Sequence, residues 1–280
     1  MDVKRRKFLK IAGLSAVAGL AAPSAFNLLL NKGEALATEG RSGAKSEAHG
    51  EKSGETSRQY GMVIDLERLQ RSPGLAEKCI HACNTEHNIP QYNNPKDEIK
   101  WIWLDDYRHS FPEHSQYKKN TALAKLPVVL LCNHCAHPPC VRACPTKATF
   151  KNSDGVVMMD YHRCIGCRFC MAACPYGARS FNWRRPREKD ANGKYKFFPD
   201  GVNPEFPMRM RGVVEKCNFC AKRTLAGRLP ACVEACGDSK ALVFGDINDP
   251  KSEISQVLKA KYTIQRKPAA GTEPSVFYII

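Results

Sequence analysis

The sequence predicts an α+β chain of short strands and short, cysteine-bearing helices, and three observations lead there. The stretches "YGMVIDLERL", "IKWIWLDDY", "LPVVLLC" and "GVVMMD" are apolar over strand length and close on charge or turn residues. Fourteen of the 280 residues are cysteine, gathered into runs whose members mostly stand three or four apart, the spacing of tight turns leading into short helices. A hydrophobic fraction of 43% is enough for packed cores, so the cysteines are additions to a globular chain and not its only staples.

The first residues set the compartment. Lys4, Arg5, Arg6, Lys7 and Lys10 form a positive start, and Arg5-Arg6 before Phe8-Leu9-Lys10 reads as a twin-arginine export signal. The apolar segment that follows carries Gly13, Gly19 and Pro23, which weaken it as a retained anchor, and "ALA" at 35–37 suits a signal peptidase. Residues 1–37 are therefore expected to be a signal peptide and 38–58, rich in Gly, Ser, Glu and Lys, a flexible leader. The remainder is expected on the periplasmic face of a membrane without spanning it. Removing six of 43 basic and two of 28 acidic residues with the signal leaves 37 against 26, a net +11. Export argues against a nucleic-acid partner. Anionic lipid, an acidic protein and a merely solvated surface all fit that charge.

The chemistry lies in the cysteines. "CIGCRFCMAACP" sets Cys164, Cys167, Cys170 and Cys174 as C-x2-C-x2-C-x3-C-P, the run that binds iron–sulfur cubes in bacterial ferredoxins. Three thiolates on one turn reach three corners of a cube, and the fourth, on the following helix, completes a second cube held by a partner run. Gly166 is expected to let the backbone fold close to the cluster, where a Cβ would crowd it. The partner is "CNHCAHPPCVRACP", with Cys132, Cys135, Cys140 and Cys144. Crossing the ligands gives cluster one as Cys132, Cys135, Cys140 and Cys174, and cluster two as Cys164, Cys167, Cys170 and Cys144. Zinc ribbons also use C-x2-C pairs, but a closed zinc site has no use for the longer run. Disulfides, the default for exported cysteines, suit triplets this close less well.

A third intact set, Cys217, Cys220, Cys232 and Cys236, has a long gap after its second member. "RSPGLAEKCIHACNTEHN" supplies only Cys79 and Cys83, with Pro73 and Ala76 where the first two cysteines would stand. Crossing then makes cluster three from Cys217, Cys220, Cys232 and Cys83. The fourth site retains only Cys79 and Cys236, so three 4Fe–4S clusters are expected, with those two thiols close enough for a disulfide. The rival is a fourth cluster rescued by His81, Asp238 or a ligand from another chain. His134 and His137, inside the second run, are expected to pack or hydrogen-bond near sulfur. Lys216, Arg163 and Arg168 flank ligands and would raise reduction potentials unless merely solvated. Trp101, Trp103 and Trp183 read as core and interface. No Gly-rich phosphate loop or nucleophile–base pair is present, so no catalytic residue is assigned and the chain is expected to be non-catalytic.

On "CNHCAHPPCVRACPT", "CIGCRFCMAACPYGAR" and "VEKCNFC", over about residues 59–250, the chain resembles the multi-cluster ferredoxin-like subunits of molybdenum-enzyme and related membrane redox complexes. That resemblance implies two ferredoxin-like units, one inserted in the other. The outer unit would comprise 59–125 and 186–250, the inserted unit 126–185, and 251–280 a C-terminal tail. The export signal, the two missing cysteines, "SFNWR" and "GVVEKCNFC" are similar to the periplasmic iron–sulfur subunits of Dsr-type complexes of dissimilatory sulfur metabolism. The resemblance implies single-electron relay among a quinone-interacting integral membrane protein, a multihaem cytochrome c and further membrane and catalytic subunits. Relay to an exported polysulfide, tetrathionate or nitrite reductase is the alternative.

Overall fold

The computed structural model describes residues 58–114 and 126–280. The expected signal peptide and nearly all of the leader lie outside the described residues. Among the described residues no helix is long and apolar enough to cross a membrane.

The apolar start of the described chain becomes β1 (Tyr60–Asp65), and Asp65 ends it by accepting from the Arg68 N–H, capping α1 (Leu66–Arg71). β1 lies at the centre of a three-stranded sheet. Its antiparallel neighbour is β8 (Leu242–Asp246), with Ile64 opposite Leu242, and its parallel neighbour is β9 (Val276–Ile279), with Met62 opposite Val276. Alternation along β1 sends Met62 and Ile64 into the main core and Val63 to the other face. There Val63 and Val243 meet Ile254 of α8 (Glu253–Ala260), a helix capped by the Ser252 hydroxyl. The segment read as a tail thus contributes α8 and β9.

Between these strands the chain forms small, separate pairs. α2 (Leu75–Glu86) carries the half-empty run and is followed by β2 (Ile102–Asp106) and α3 (Tyr107–Ser110). β2 pairs antiparallel with β3 (Pro127–Leu131). The second run leads into α4 (Pro139–Arg142), and β4 (Thr149–Lys151) pairs with β5 (Val157–Met159). The third run forms α5 (Phe169–Ala172). β6 (Ser180–Phe181) pairs with β7 (Val214–Glu215), closing the charged loop between them. The last run occupies α6 (Ala221–Leu225) and α7 (Ala231–Cys236).

The main core takes in Met62, Trp101, Leu130 and Tyr278 together with Cys79, Cys83, Cys132, Cys217, Cys232 and Cys236. A smaller core holds Cys140, Cys170, Val157 and Val214. Sulfur is therefore interior, in the place aliphatic side chains would normally fill.

Candidate iron–sulfur sites

α2 and α7 each carry two cysteines four residues apart, hence on one helical face. Cys83 lies one turn beyond Cys79 on α2, and its thiol feels the charge of Cys220, Cys217 and Cys232. The four thiols expected to form cluster three are thus neighbours, and all four are buried. Burial pushes all four thiols up, those of Cys217 and Cys220 to about 12. A neutral thiol is the cheap state of an empty apolar site; iron coordination would deprotonate it outright.

Quartet one, expected to form cluster one, is assembled in the same way. Cys135, pushed up to about 12 chiefly by burial, feels Cys132, Cys140 and Cys174. Those four thiols line one small pocket, together with Pro139, Tyr176 and Arg179. In quartet two, expected to form cluster two, Cys170 feels Cys164 and Cys144, and Cys167 lies on the same turn. Its setting differs. Cys144, Cys164 and Cys167 are only half buried. At Cys144 burial is outweighed by backbone N–H groups of Thr149, Thr146 and Ala148, and its thiol is lowered.

These donor sets fit cubes. Among the described residues no group of three His, Cys, Asp or Glu is arranged to hold a single metal ion, which is what a zinc site requires. A cube instead spreads its four ligands over four irons. Gly166 has φ +71°, and a Cβ there would stand 2.3 Å from the Gly212 carbonyl oxygen. The close approach expected to be to the cluster is instead seen with that neighbouring loop. The chain of neighbours also orders the sites. Cys170 of quartet two feels Cys140 of quartet one, and Cys217 of quartet three feels Cys132 of quartet one. The order is two, one, three.

The degenerate fourth site looks different. Cys79 and Cys236 are buried, with their Sγ atoms 3.2 Å apart. Their shared hydrogen bond holds Cys79 protonated, with its thiol raised, and lowers Cys236. Two thiolates serving separate corners of a cube must stand wider apart than this. His81 faces Asp200 at the surface (3.1 Å), and Asp238 is exposed.

Comparison with known proteins gives the family. The 4Fe-4S dicluster domain family matches residues 126–206. Iron-sulfur subunit 1 of an Hdr-like menaquinol oxidoreductase from Archaeoglobus fulgidus is 37% identical over 99% of this chain and 97% of its own length. A tetrathionate reductase subunit of Salmonella typhimurium is 32% identical over 100% and 89%. Protein NrfC of Escherichia coli is 42% identical over 79% and 80%. The chain belongs to the 4Fe–4S electron-transfer subunits of membrane redox complexes.

Within this 4Fe–4S subunit the residues around the thiols take definite roles. His134 is buried against Phe219 (ring centroids 3.7 Å apart) and accepts from the Val157 N–H through Nδ1 (3.1 Å). His137 is a surface residue paired with Glu273 (3.4 Å). Lys216 is buried, its ammonium donating to the carbonyls of Val157 and Cys217 (2.6 Å to the latter). Trp101 is core, donating to Glu215 (2.9 Å), Trp103 is half buried, and Trp183 is exposed.

Sequence reasoning did not single out three further groups. Arg179 is buried; its Nη1 donates to Thr149 Oγ1 (3.2 Å), while Nε and Nη2 lack a hydrogen-bond partner. Burial works against its charge, but Cys140, Cys170 and Cys132 outweigh that, so it sits between quartets one and two. Arg209 and Glu215 form a buried ion pair (2.6 Å), and Arg209 also donates to the His87 and Asn88 carbonyls at the end of α2. His87 packs between Trp101 and Phe206 beside Cys83, and burial holds it down at about 3. "CPYGAR" places Arg179 five residues after Cys174 and was the available signal for the first. The other two depend on long-range packing.

Proposed function

We propose that the chain relays single electrons through three 4Fe–4S cubes held by Cys132/Cys135/Cys140/Cys174, Cys164/Cys167/Cys170/Cys144 and Cys217/Cys220/Cys232/Cys83. When bound, the cubes supply one-electron redox chemistry. The protein separates them from water, spaces them in line and sets their potentials through charge and hydrogen bonds. The observation that carries this reading is the proximity of thiols from different runs: Cys83 to Cys217, Cys220 and Cys232, Cys174 to Cys132, Cys135 and Cys140, and Cys144 to Cys170. The 3.2 Å contact of Cys79 with Cys236 supports a count of three.

In this reading the units are nested, with runs one and four outside and runs two and three inserted. The chain works as a DsrO-type subunit on the periplasmic side, exported by the twin-arginine route. Its electrons pass between a quinone-interacting integral membrane protein and a multihaem cytochrome c of a Dsr-type complex. Likeness to the Archaeoglobus menaquinol oxidoreductase subunit, over nearly the full length of both chains, supports the quinol side. Service to a tetrathionate or nitrite reductase is the second reading, favoured by the likeness to the Salmonella subunit.

The test is an EPR-monitored redox titration of the anaerobically purified chain, with iron analysis. About twelve irons per chain and three one-electron centres are expected, three cubes of four. A reproducible content of about sixteen overturns the three-cube assignment, and a chain without reducible centres overturns the relay.

A further inference from the structure

Cube two differs from the other two sites by what lies above it. Ile165 and Phe169, both within the 164–170 turn, are 68% and 61% exposed, and Trp183 is 44% exposed. Trp183 belongs to the same surface, because Arg168 lies over its ring (4.8 Å) and over that of Phe181 (5.5 Å). Phe181 and Cys164 in turn both pack against the small core of Cys140, Val157, Cys170 and Val214. Arg168 adopts φ +64° at this place, a left-handed backbone that few non-glycine residues take. An apolar patch directly over half-buried cluster ligands is not accounted for by core packing.

The patch is rimmed by positive charge. Between residues 140 and 184 there are seven Lys or Arg and two Asp. Arg142, Lys147, Arg163 and Arg168 are exposed next to ligands of cube two. Among the described residues, Arg163 alone of these four is in an ion pair, with Asp160 (3.3 Å). The cube-three end also exposes apolar side chains, Leu225 and Leu229, but two of its cations are matched, Lys222 with Glu205 and Arg223 with Glu86 and Glu234, and of the rest only Arg228 stands exposed beside those leucines. Its four thiols are buried as well.

We propose that the surface formed by Ile165, Phe169, Trp183 and their cationic rim docks a redox protein whose contact face is apolar at its centre and acidic at its edge. Electrons cross into or out of the chain there. The proposal rests on the relay reading and adds to it which end of the wire is open. An anionic lipid surface would match the same charges, but it has no use for cube ligands lying half exposed beneath them.

Stopped-flow reduction of the full, cluster-loaded chain by flavodoxin hydroquinone, an acidic protein with an exposed flavin edge, tests it. One electron passes from the anionic hydroquinone, which becomes the neutral semiquinone, to one oxidised cube, with no proton transferred. The second-order rate should fall about tenfold or more from low to high ionic strength, as for steered association. Lys147→Glu and Arg168→Glu should each slow it severalfold at low salt, and Trp183→Ser should slow it at all salt concentrations. Leu225→Ser should leave it unchanged, and EPR of each variant checks that the cubes are intact. A salt-independent rate, or slowing by Leu225→Ser with none by Lys147→Glu and Arg168→Glu, overturns the proposal. So does binding to phosphatidylglycerol vesicles that Lys147→Glu abolishes without changing the flavodoxin rate. A chain that dithionite cannot reduce would instead overturn the relay.

Discussion

The two ends of the line of sites are built from similar cysteine runs, yet they differ in almost every physical respect. At the cube-three end all four thiols are buried and pushed up by desolvation, and the nearby cations Arg209 and Arg223 are committed to carboxylates. At the cube-two end three thiols are half exposed, Cys144 accepts from backbone N–H groups, and the surrounding cations are mostly free of ion pairs. Ligand spacing fixes where a cube is held. The burial and charge around it fix who reaches it. One end is structural interior, the other contact surface.

The sharpest way to break this comparison is to remove one thiolate from each end. Cys83→Ala should lose cube three and, with it, the centre about which α2, α7 and the Cys217 turn are arranged, so a large fall in melting temperature is expected. Cys144→Ala should lose cube two with a smaller fall, because its surroundings are already half hydrated. Iron content, EPR and thermal melts of both variants give the comparison. Equal melting losses would mean that burial does not distinguish the ends.

The next effect isolates the scaffold from the ligands. Glu215→Gln leaves Arg209 buried without its carboxylate, a change that costs about 3–5 kcal/mol when one partner of a buried pair is removed. Because Arg209 holds the end of α2 through the His87 and Asn88 carbonyls, the cost should fall on the cube-three end. On heating, the cube-three EPR signal should disappear before that of cube two. Loss of both signals together would show that the pair stabilises the whole chain evenly.

A smaller change, with little cost in cube content, concerns the middle of the line. Arg179 is the buried cation shared by the neighbours Cys140, Cys170 and Cys132 of quartets one and two. Reduction adds negative charge to a cube, so a nearby guanidinium favours the reduced form. Arg179→Leu should lower the midpoint potentials of two centres and leave the third in place, with Arg179→Lys in between. Movement of all three would place its influence elsewhere.

How much of this was written in the sequence depends on the range of the interaction. The C-x2-C spacings are local, so they marked the turns, and the exchange of the last thiol between runs leads to the quartets proposed above. Strand-length apolar runs marked β1, β2, β3 and β5 for the same reason. β9 was not legible: "VFYI" at 276–279 gains its place only by lying parallel to β1, two hundred residues away, and no local pattern encodes such pairing. Nor was the clasp beside it, where the Ser275 N–H donates to the Asn133 carbonyl and Thr272 meets Tyr176 (2.5 Å). His87 and Glu215 looked like ordinary polar residues because their roles come from the rings and charges that other segments bring to them.

The smallest expected effect concerns Cys79 and Cys236, which sit one helical turn from two ligands of cube three, Cys83 and Cys232. If the pair closes to a cystine, it joins α2 to α7 where a fourth cube would have joined them, and the loss of two thiolates costs the chain an electron site but no cross-link. Oxidation releases two protons and passes two electrons to a protein disulfide of the export compartment by thiol–disulfide exchange. Alkylation of the denatured, non-reduced chain after anaerobic cluster removal should then leave one linked peptide pair containing residues 79 and 236, with the other twelve cysteines alkylated. Cys79→Ser should abolish that pair and lower stability by on the order of 2 kcal/mol. Iron content and all three EPR signals should not change, because no cube uses either sulfur. A loss of about four irons in Cys79→Ser would show that a cube stands there after all, and the contrast between a wired end and a sealed one would have to be redrawn.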